Sequence, residues 1–227
     1  MARRTKEEAL ETRDKLLDAA EHLFQAQGVS HTSLQDIARR AGATRGAVYW
    51  HFKDKADLFN AMMERVTLPM EASFNQEDGG RDAGCGAGVD ALKRIRRVTV
   101  EALQRIVTDA QTRRVFEVAT HKVEYIEELQ AVRLRHLAVR HGFLSRIEQS
   151  MDAACHQTDM KLAMPTATAA QGLHALIDGL IQNWLLEPQA FDLLQVGPCV
   201  VNVYLTGLGF AGEQGACPAA GQEPSLP

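Results

Sequence analysis

Apolar residues recur three and four positions apart through most of the chain, which is the periodicity of an amphipathic α-helix. In the first fifty or so residues the pattern stops at Gly28 and again at Gly42, and glycine is a residue at which helices commonly end. Thr32 or Ser33 is placed as the N-cap of the helix between these glycines. The pattern therefore predicts three short helices at the start of the chain.

The middle of the chain continues the helical pattern after one interruption. A fourth helix is predicted to start near Asp54, and the glycine-rich stretch at residues 79–88 is interpreted as a flexible loop. Residues 89–158 have helical spacing and no proline, which predicts two or three further helices.

The last part of the chain is more apolar than the rest. Pro165 indicates a helix start, and residues 166–187 and 190–208 are apolar on most sides, so both helices need to be covered. From Gly212 onward little apolar surface remains, and we expect a frayed tail. The predicted fold class is all-α.

Composition is that of a globular protein, with 227 residues, 45% hydrophobic and 24% charged. The formal net charge of -4 argues against a protein that coats nucleic acid as a polycation. Residues 1–60, however, hold 10 Lys and Arg against 9 Asp and Glu, a net of +1, whereas the remaining residues hold 15 against 20, a net of -5. The acidity belongs to the later part of the chain, so DNA binding by the first part stays open.

No apolar run is long enough for a membrane span, and the chain opens with charged residues where an export signal would have an apolar core. We therefore expect no membrane partner and a cytoplasmic location. The four cysteines, Cys85, Cys155, Cys199 and Cys217, form no close pair, so reduced thiols are expected. Cys85 stands in the glycine-rich stretch, where an inert thiol is favoured over an oxidation sensor.

No constellation for catalysis, metal binding or a cofactor is visible. His136 and His141 are five residues apart, the wrong spacing for one helical face. Residues 207–212 match the GxGxxG pattern, but too few residues follow them for a dinucleotide site. The sequence thus predicts no enzyme, no cofactor and no metal.

The stretch from Ser33 to Lys55 has the form of a helix-turn-helix, two short helices joined at Gly42-Ala43. On the second helix Val48 and Phe52 share a face and are expected to pack on apolar residues of the helix before it, namely Leu34, Ile37 and Ala38. Arg45 and Tyr49 lie beside that face, while Gly46 and Trp50 point away from it. The second helix, Thr44 to Phe52, therefore has one packed face and one presented face.

The presented face carries groups suited to DNA. Thr44 at the N-cap leaves backbone N–H groups directed outward, which suits a phosphate. Arg45 has the reach for guanine O6 and N7, whereas Tyr49 and His51 have donors for phosphate and Lys55 adds a point charge. Gly46 lets the backbone approach the duplex closely.

Two stretches carry a resemblance to a known family: TKEEALETRDKLLDAAEHLF and GVSHTSLQDIARRAGATRGAVYWHFKDKADLF. The first 60 or so residues resemble the DNA-binding domain of the TetR family of transcriptional repressors. The similarity is close to the AcrR-like branch, which represses multidrug-efflux pumps, and it includes the basic arm Arg3, Arg4 and Lys6. Arm contact with the minor groove or backbone and a disordered charged terminus are both compatible with this composition.

The resemblance implies a ligand-responsive homodimer that binds a palindromic operator on double-stranded DNA and is released by a small hydrophobic inducer. It divides the chain into an arm and helix-turn-helix domain (1–53), a larger helical ligand-binding and dimerisation domain (54–211) and a tail (212–227). The dimer is expected to form through helices 166–187 and 190–210. The predicted DNA-contacting residues are Ser33, Thr44, Arg45, Gly46, Tyr49, Trp50, His51 and Lys55. Packing in a hinge is the alternative role for Trp50.

The inducer pocket is predicted less sharply, because each candidate also fits an ordinary core position. Asp178 stands in an apolar run, where a buried carboxylate needs a partner, either a helix-capping or interhelical hydrogen bond or a ligand. The full candidate set is Met63, Thr67, Phe116, Thr120, Gln130, Ile177 and Asp178. An activator of the same fold and a helical ligand-handling enzyme with a vestigial DNA domain are the alternative functions.

Overall fold

The structure, a computed structural model, describes residues 6–75, 87–124 and 126–212. These residues contain nine α-helices and no strand, which confirms the predicted all-α class. The helices are α1 (Lys6–Gln27), α2 (Leu34–Arg40), α3 (Arg45–His51), α4 (Lys55–Asn75), α5 (Ala87–Thr108), α6 (Ala110–His121), α7 (Gln130–Thr158), α8 (Thr166–Leu186) and α9 (Leu193–Gly207). A 3₁₀ turn at Glu127–Leu129 precedes α7.

The chain divides by packing into two compact units. The first unit comprises Met1–Glu71 and Ala110–Arg140, and the second comprises Ala72–Asp109 and His141–Pro227. The predicted division into 1–53, 54–211 and 212–227 follows chain order instead of packing, and it stays a prediction.

In the first unit, glycines end α1 and α2 as the sequence predicts. Gly28 and Gly42 have φ values of +86° and +66°, a left-handed conformation that only glycine adopts without strain. Ser33, one of the two predicted N-caps, begins α2 with a capping box in which its side chain accepts from the Asp36 backbone N–H at 3.1 Å.

The core of the first unit is apolar and continuous. Phe24 of α1 and Phe59 of α4 lie with ring centroids 6.0 Å apart at its centre. Fully buried side chains around them include Leu16, Leu17, Ile37, Val48, Leu58, Met62, Val115, Val118 and Leu129. The core thus holds α1, α2, α3 and α4 together with α6 and the start of α7.

The second unit packs α5, α8 and α9 with the later part of α7. Its buried core includes Ile95, Met151, Leu173, Val201 and Leu205. The hydroxyl of Tyr204 on α9 donates to the Ala169 carbonyl of α8 at 2.9 Å. The two most apolar predicted helices therefore cover each other, as their pattern required.

Three expectations need correction. Ala87 and Gly88, the end of the predicted loop at 79–88, begin α5, whereas residues 76–86 lie outside the described residues. Cys199 in α9 is disulfide-bonded, so the expectation of reduced thiols is wrong there. Cys155 in α7 is a free cysteine, and burial raises the pKa of its thiol.

The third correction concerns Asp178. The sequence suggested a buried carboxylate, but Asp178 is exposed and accepts a hydrogen bond at 2.7 Å from Gln182 Nε2, one turn later on α8. The predicted arm residues Arg3 and Arg4, the expected thiols of Cys85 and Cys217, and the tail beyond Gly212 all lie outside the described residues. The GxGxxG match coincides with the end of α9 at Gly207, as predicted.

Candidate DNA-binding surface and ligand cavity

The turn between α2 and α3 is held by backbone and side-chain hydrogen bonds. The Ala43 N–H donates to the Ala38 carbonyl at 2.9 Å, which closes the turn around Gly42. Thr44 is the N-cap of α3, and its side chain accepts from the Ala47 N–H at 3.2 Å. The start of α3 is therefore fixed relative to α2.

The two faces of α3 differ as the periodicity predicts. Val48 is fully buried and Phe52, the C-cap, is 2% exposed, and both belong to the same core as Ile37 and Ala38. Trp50 is 72% exposed, and its two predicted roles, DNA contact and hinge packing, both stay predictions. The helix presents a polar and aromatic face to solvent.

Two side-chain pairs organise that presented face. The guanidinium of Arg45 lies 5.5 Å from the ring centroid of Tyr49, and its Nη2 is 3.4 Å from the Tyr49 hydroxyl oxygen. Trp50 and His51 pack edge to face with centroids 4.5 Å apart. Each pair limits the rotamers of groups that a duplex would meet.

The remaining predicted contacts lie at the margins of this face. Ser33 is exposed but engaged in its capping box, whose hydrogen bonds lower the pKa of Asp36. Lys55 Nζ donates to the Ser30 carbonyl at 3.1 Å, which leaves two of its three donors for other acceptors. Lys6, the first residue of α1, is exposed. The structure thus gathers six predicted residues on or beside α3, with Ser33 and Lys55 on the flanking elements.

A buried carboxylate, which no sequence pattern predicts, joins three helices of the first unit. Glu21 of α1 is fully buried; it accepts from Gln111 Nε2 at 2.9 Å and pairs with Arg65 at 3.1 Å and Arg114 at 3.4 Å. Arg65 also pairs with Asp18 at 2.7 Å. Burial raises the pKa of Glu21, although the two arginines and Gln111 oppose that shift. Charged residues recur every few positions along α1, so nothing in the sequence distinguishes Glu21 from its exposed neighbours.

The first unit also contains a small cavity of about 40 Å³. Its walls come from α4, α6, the segment after α6, and α7: Phe59, Asn60, Met63, Thr67, Ala119, Val123, Val132, Arg135, His136 and Val139. Met63 and Thr67 are predicted ligand residues. Together with Asn60 they lie on one face of α4, because positions 60, 63 and 67 are three and four residues apart.

The other predicted ligand residues do not line this cavity. Phe116 and Thr120 lie on α6 near Ala119 in sequence, but only Ala119 is a wall residue. Gln130 is exposed at the start of α7. Ile177 and Asp178 belong to the second unit. Asn60 and Arg135 are wall residues that sequence reasoning missed.

An all-helical chain with a rigid helix-turn-helix and an exposed second helix has the build of a DNA-binding transcriptional regulator. Residues 16–62 match the family model of bacterial regulatory proteins of the tetR family, and residues 90–210 match the C-terminal region of MAATS-type transcriptional repressors. The chain belongs to the TetR family of bacterial regulatory proteins. In the described part of the chain, no helix is both long and apolar enough to cross a membrane.

Three similar proteins show how far the likeness extends. The chain is 38% identical over 196 residues to the HTH-type transcriptional regulator AcrR of Shigella flexneri, covering 85% of this chain and 87% of AcrR. NalD, the secondary repressor of the MexAB-OprM multidrug efflux pump in Pseudomonas aeruginosa, superposes with a TM-score of 0.77 at 36% identity, covering 89% of this chain and 98% of NalD.

The third is SmeT, the repressor of the Stenotrophomonas maltophilia multidrug efflux pump SmeDEF. Its complex with triclosan superposes with a TM-score of 0.76 at 29% identity, covering 95% of this chain and 99% of SmeT. The likeness therefore spans both units and is not confined to the helix-turn-helix.

Proposed function

We propose that this chain represses a multidrug efflux pump operon and leaves its operator when a small hydrophobic inducer binds. The observation that carries the proposal is the match along nearly the whole chain to NalD and SmeT, two pump repressors, one of them solved with triclosan. The proposed role is regulatory and includes no catalysis, and the proposed location is the cytoplasm.

The proposed operator interface is the presented face of α3. Arg45 would leave Tyr49 and bond guanine O6 and N7 in the major groove. The sugar-phosphate backbone of the operator would be contacted by Tyr49, Trp50, His51 and Lys55. The N-terminus of α3 at Thr44 would offer free N–H groups to a phosphate. Gly46 would let the protein backbone of α3 come close to the duplex. Ser33 would add a hydroxyl beside the groove, and Lys6 belongs to the basic arm.

Two copies would pair through α8 and α9 to read two half-sites. Both helices carry exposed apolar side chains that a partner would cover: Leu176, Leu186, Leu194 and Val203. Dimerisation doubles the number of base contacts and sets the half-site spacing. An inducer that binds ~3 kcal/mol more favourably to the dimer conformation with wrongly spaced recognition helices would weaken operator binding about a hundredfold.

The test is operator binding by an Arg45→Ala variant, measured by fluorescence anisotropy on DNA from upstream of the chain's own coding sequence. Loss of one arginine–guanine contact per half-site should weaken specific binding about tenfold or more, because each such contact contributes ~1–3 kcal/mol. Binding to unrelated DNA should change much less.

The matched control is Arg133→Ala, which removes an exposed arginine from α7, outside the helix-turn-helix. It should retain operator preference. Equal losses for the two variants, or an Arg45→Ala variant that still prefers the operator, would contradict the proposed interface.

A further inference from the structure

The loop between α1 and α2 contains a serine that is bonded to two charged side chains. The hydroxyl of Ser30 donates to Glu124 Oε2 at 3.1 Å, and the Ser30 carbonyl accepts from Lys55 Nζ at 3.1 Å. Glu124 stands after the end of α6, 94 residues beyond Ser30 in the chain, whereas Lys55 is the first residue of α4. Ser30 therefore joins the segment after α6 to the start of α4.

The loop on both sides of Ser30 is buried and hydrogen-bonded. Val29 is fully buried, and its N–H donates to the Lys122 carbonyl at 3.0 Å. Thr32 is 1% exposed, and its hydroxyl donates to the Gly28 carbonyl at 2.7 Å. These bonds give the loop a defined position against the end of α6, so the Ser30 carbonyl is a fixed acceptor for Lys55.

The backbone at the start of α4 is fixed as well. The Asp57 N–H donates to Asp54 Oδ1 at 2.8 Å, and the Lys53 N–H donates to Asp57 Oδ2 at 2.9 Å. The freedom that remains in Lys55 is that of its four-carbon stem, and binding has to remove this freedom at a cost in entropy. The bond to the Ser30 carbonyl removes part of it before DNA arrives.

We propose that Glu124 is a positioning residue for operator binding, which holds Ser30 so that its carbonyl keeps the Lys55 ammonium in place for a phosphate. One of the three ammonium donors bonds Ser30, and two remain for the DNA backbone. The inference rests on the proposed function, in which Lys55 contacts the operator, and it adds a residue outside the helix-turn-helix that acts without touching DNA.

Charge and positioning predict opposite effects for Glu124. Its side chain is exposed, and a carboxylate repels phosphate, so on charge alone its removal would strengthen DNA binding. If Glu124 positions Lys55 through Ser30, its removal weakens operator binding despite the lost repulsion. The sign of the change therefore separates the two roles.

The experiment measures operator binding by the full chain with fluorescence anisotropy. Glu124→Ala should weaken binding about fivefold, because the DNA then has to order the lysine stem. Glu124→Gln should bind at least as tightly as the wild type, since its amide oxygen accepts the same hydrogen bond. Ser30→Ala should reproduce the loss of Glu124→Ala, because it removes the other end of that bond.

The matched control is Glu127→Ala, which removes an exposed carboxylate from the same segment after α6. It should bind the operator as tightly as the wild type or slightly more tightly. The urea midpoint of Glu124→Ala should stay close to that of the wild type, because exposed positions contribute little to stability. A loss of operator binding in Glu124→Ala is then not a loss of fold.

A double-mutant cycle tests whether Glu124 acts through Lys55. Lys55→Ala should weaken binding and lower the slope of log affinity against log salt by about one for each lysine that leaves a phosphate. Glu124→Ala alone should keep the wild-type slope, since the lysine still reaches its phosphate. Adding Glu124→Ala to Lys55→Ala should cause no further loss of affinity.

Three results would overturn the inference: Glu124→Ala binding as tightly as the wild type, Glu124→Gln losing as much affinity as Glu124→Ala, or losses from Glu124→Ala and Lys55→Ala that add. If the wild-type chain prefers its operator and any of these occurs, only this inference fails. If the wild-type chain shows no preference for its operator, the proposed function fails and the role of Glu124 fails with it.

Discussion

Both units have an apolar core, but they differ in the ion pairs between their helices. In the first unit ion pairs cross between helices, from Arg65 of α4 to α1, from Arg114 of α6 to Glu21, and from Arg135 of α7 to α4. In the second unit the buried contacts between α5, α7, α8 and α9 come mainly from aliphatic side chains such as Leu173 and Leu205.

This difference predicts that the stability of the two units depends differently on pH. Burial of apolar area is nondirectional and does not change with protonation. A buried ion pair depends steeply on distance and on the protonation of its partners. We therefore expect the stability of the first unit, which holds the buried Glu21 network, to depend on protonation more than that of the second unit.

The largest effect is expected from a core deletion in the second unit. Leu173 is fully buried on α8, and Leu173→Ala should cost about 4 kcal/mol, from lost burial and the space left behind. Urea unfolding followed by the fluorescence of Trp184, which is 5% exposed in the same unit, measures this loss at a fixed protein concentration.

The control is Leu10→Ala on α1, where the side chain is 55% exposed. It should change the unfolding midpoint little. A loss for Leu173→Ala as small as that of the control would show that the second unit does not depend on its apolar core.

A smaller loss is expected from Glu21→Ala in the first unit. Removing the carboxylate leaves Arg65 and Arg114 without their shared partner, which should cost about 3 kcal/mol. The value is at the low end for a buried pair because both arginines are about a fifth to a quarter exposed and can bind water. Urea unfolding followed by far-UV circular dichroism measures it.

Glu11→Ala is the matched control on the same helix. Glu11 pairs with Lys15 at 2.7 Å, but both side chains are exposed, so no measurable loss is expected. The loss from Glu21→Ala should also persist at high salt, because buried pairs are screened weakly. A loss that vanishes in salt would place the Glu21 network at the surface.

The helix-turn-helix was predictable because its signals are local. Gly28 and Gly42 end helices through their backbone conformation, Ser33 and Thr44 cap helices within three residues, and Val48 and Phe52 lie one turn apart. Each signal depends on neighbours in sequence, so periodicity and capping rules suffice to find it.

The cavity and the Glu21 network depend on residues far apart in the chain. Glu21 meets Gln111 and Arg114 some ninety residues later, and no local pattern indicates that meeting. The cavity is only partly predictable for the same reason, since Met63 and Thr67 share a helix face while Arg135 arrives from α7. Asp178 shows the opposite error, because an apolar run does not guarantee burial.

The smallest effect, and the sharpest contrast between the units, concerns pH. Burial raises the pKa of Glu21 above its ordinary value of 4.5, so the folded state holds this proton more tightly than the unfolded state. The contribution of Glu21 to the free energy of unfolding therefore falls as pH rises from the pKa of Glu21 in the unfolded chain to its pKa in the folded chain. Above the folded-state pKa this contribution is constant.

The variant Glu21→Gln removes this titration while keeping the shape of the side chain. The free energy of unfolding of the wild type minus that of Glu21→Gln should fall as pH rises from about 4, and then level off. Urea titrations across the acid range measure the difference. A difference that rises with pH would mean that Arg65 and Arg114 outweigh burial. The same measurement on Leu173→Ala should show no trend attributable to residue 173, because an apolar core carries no proton.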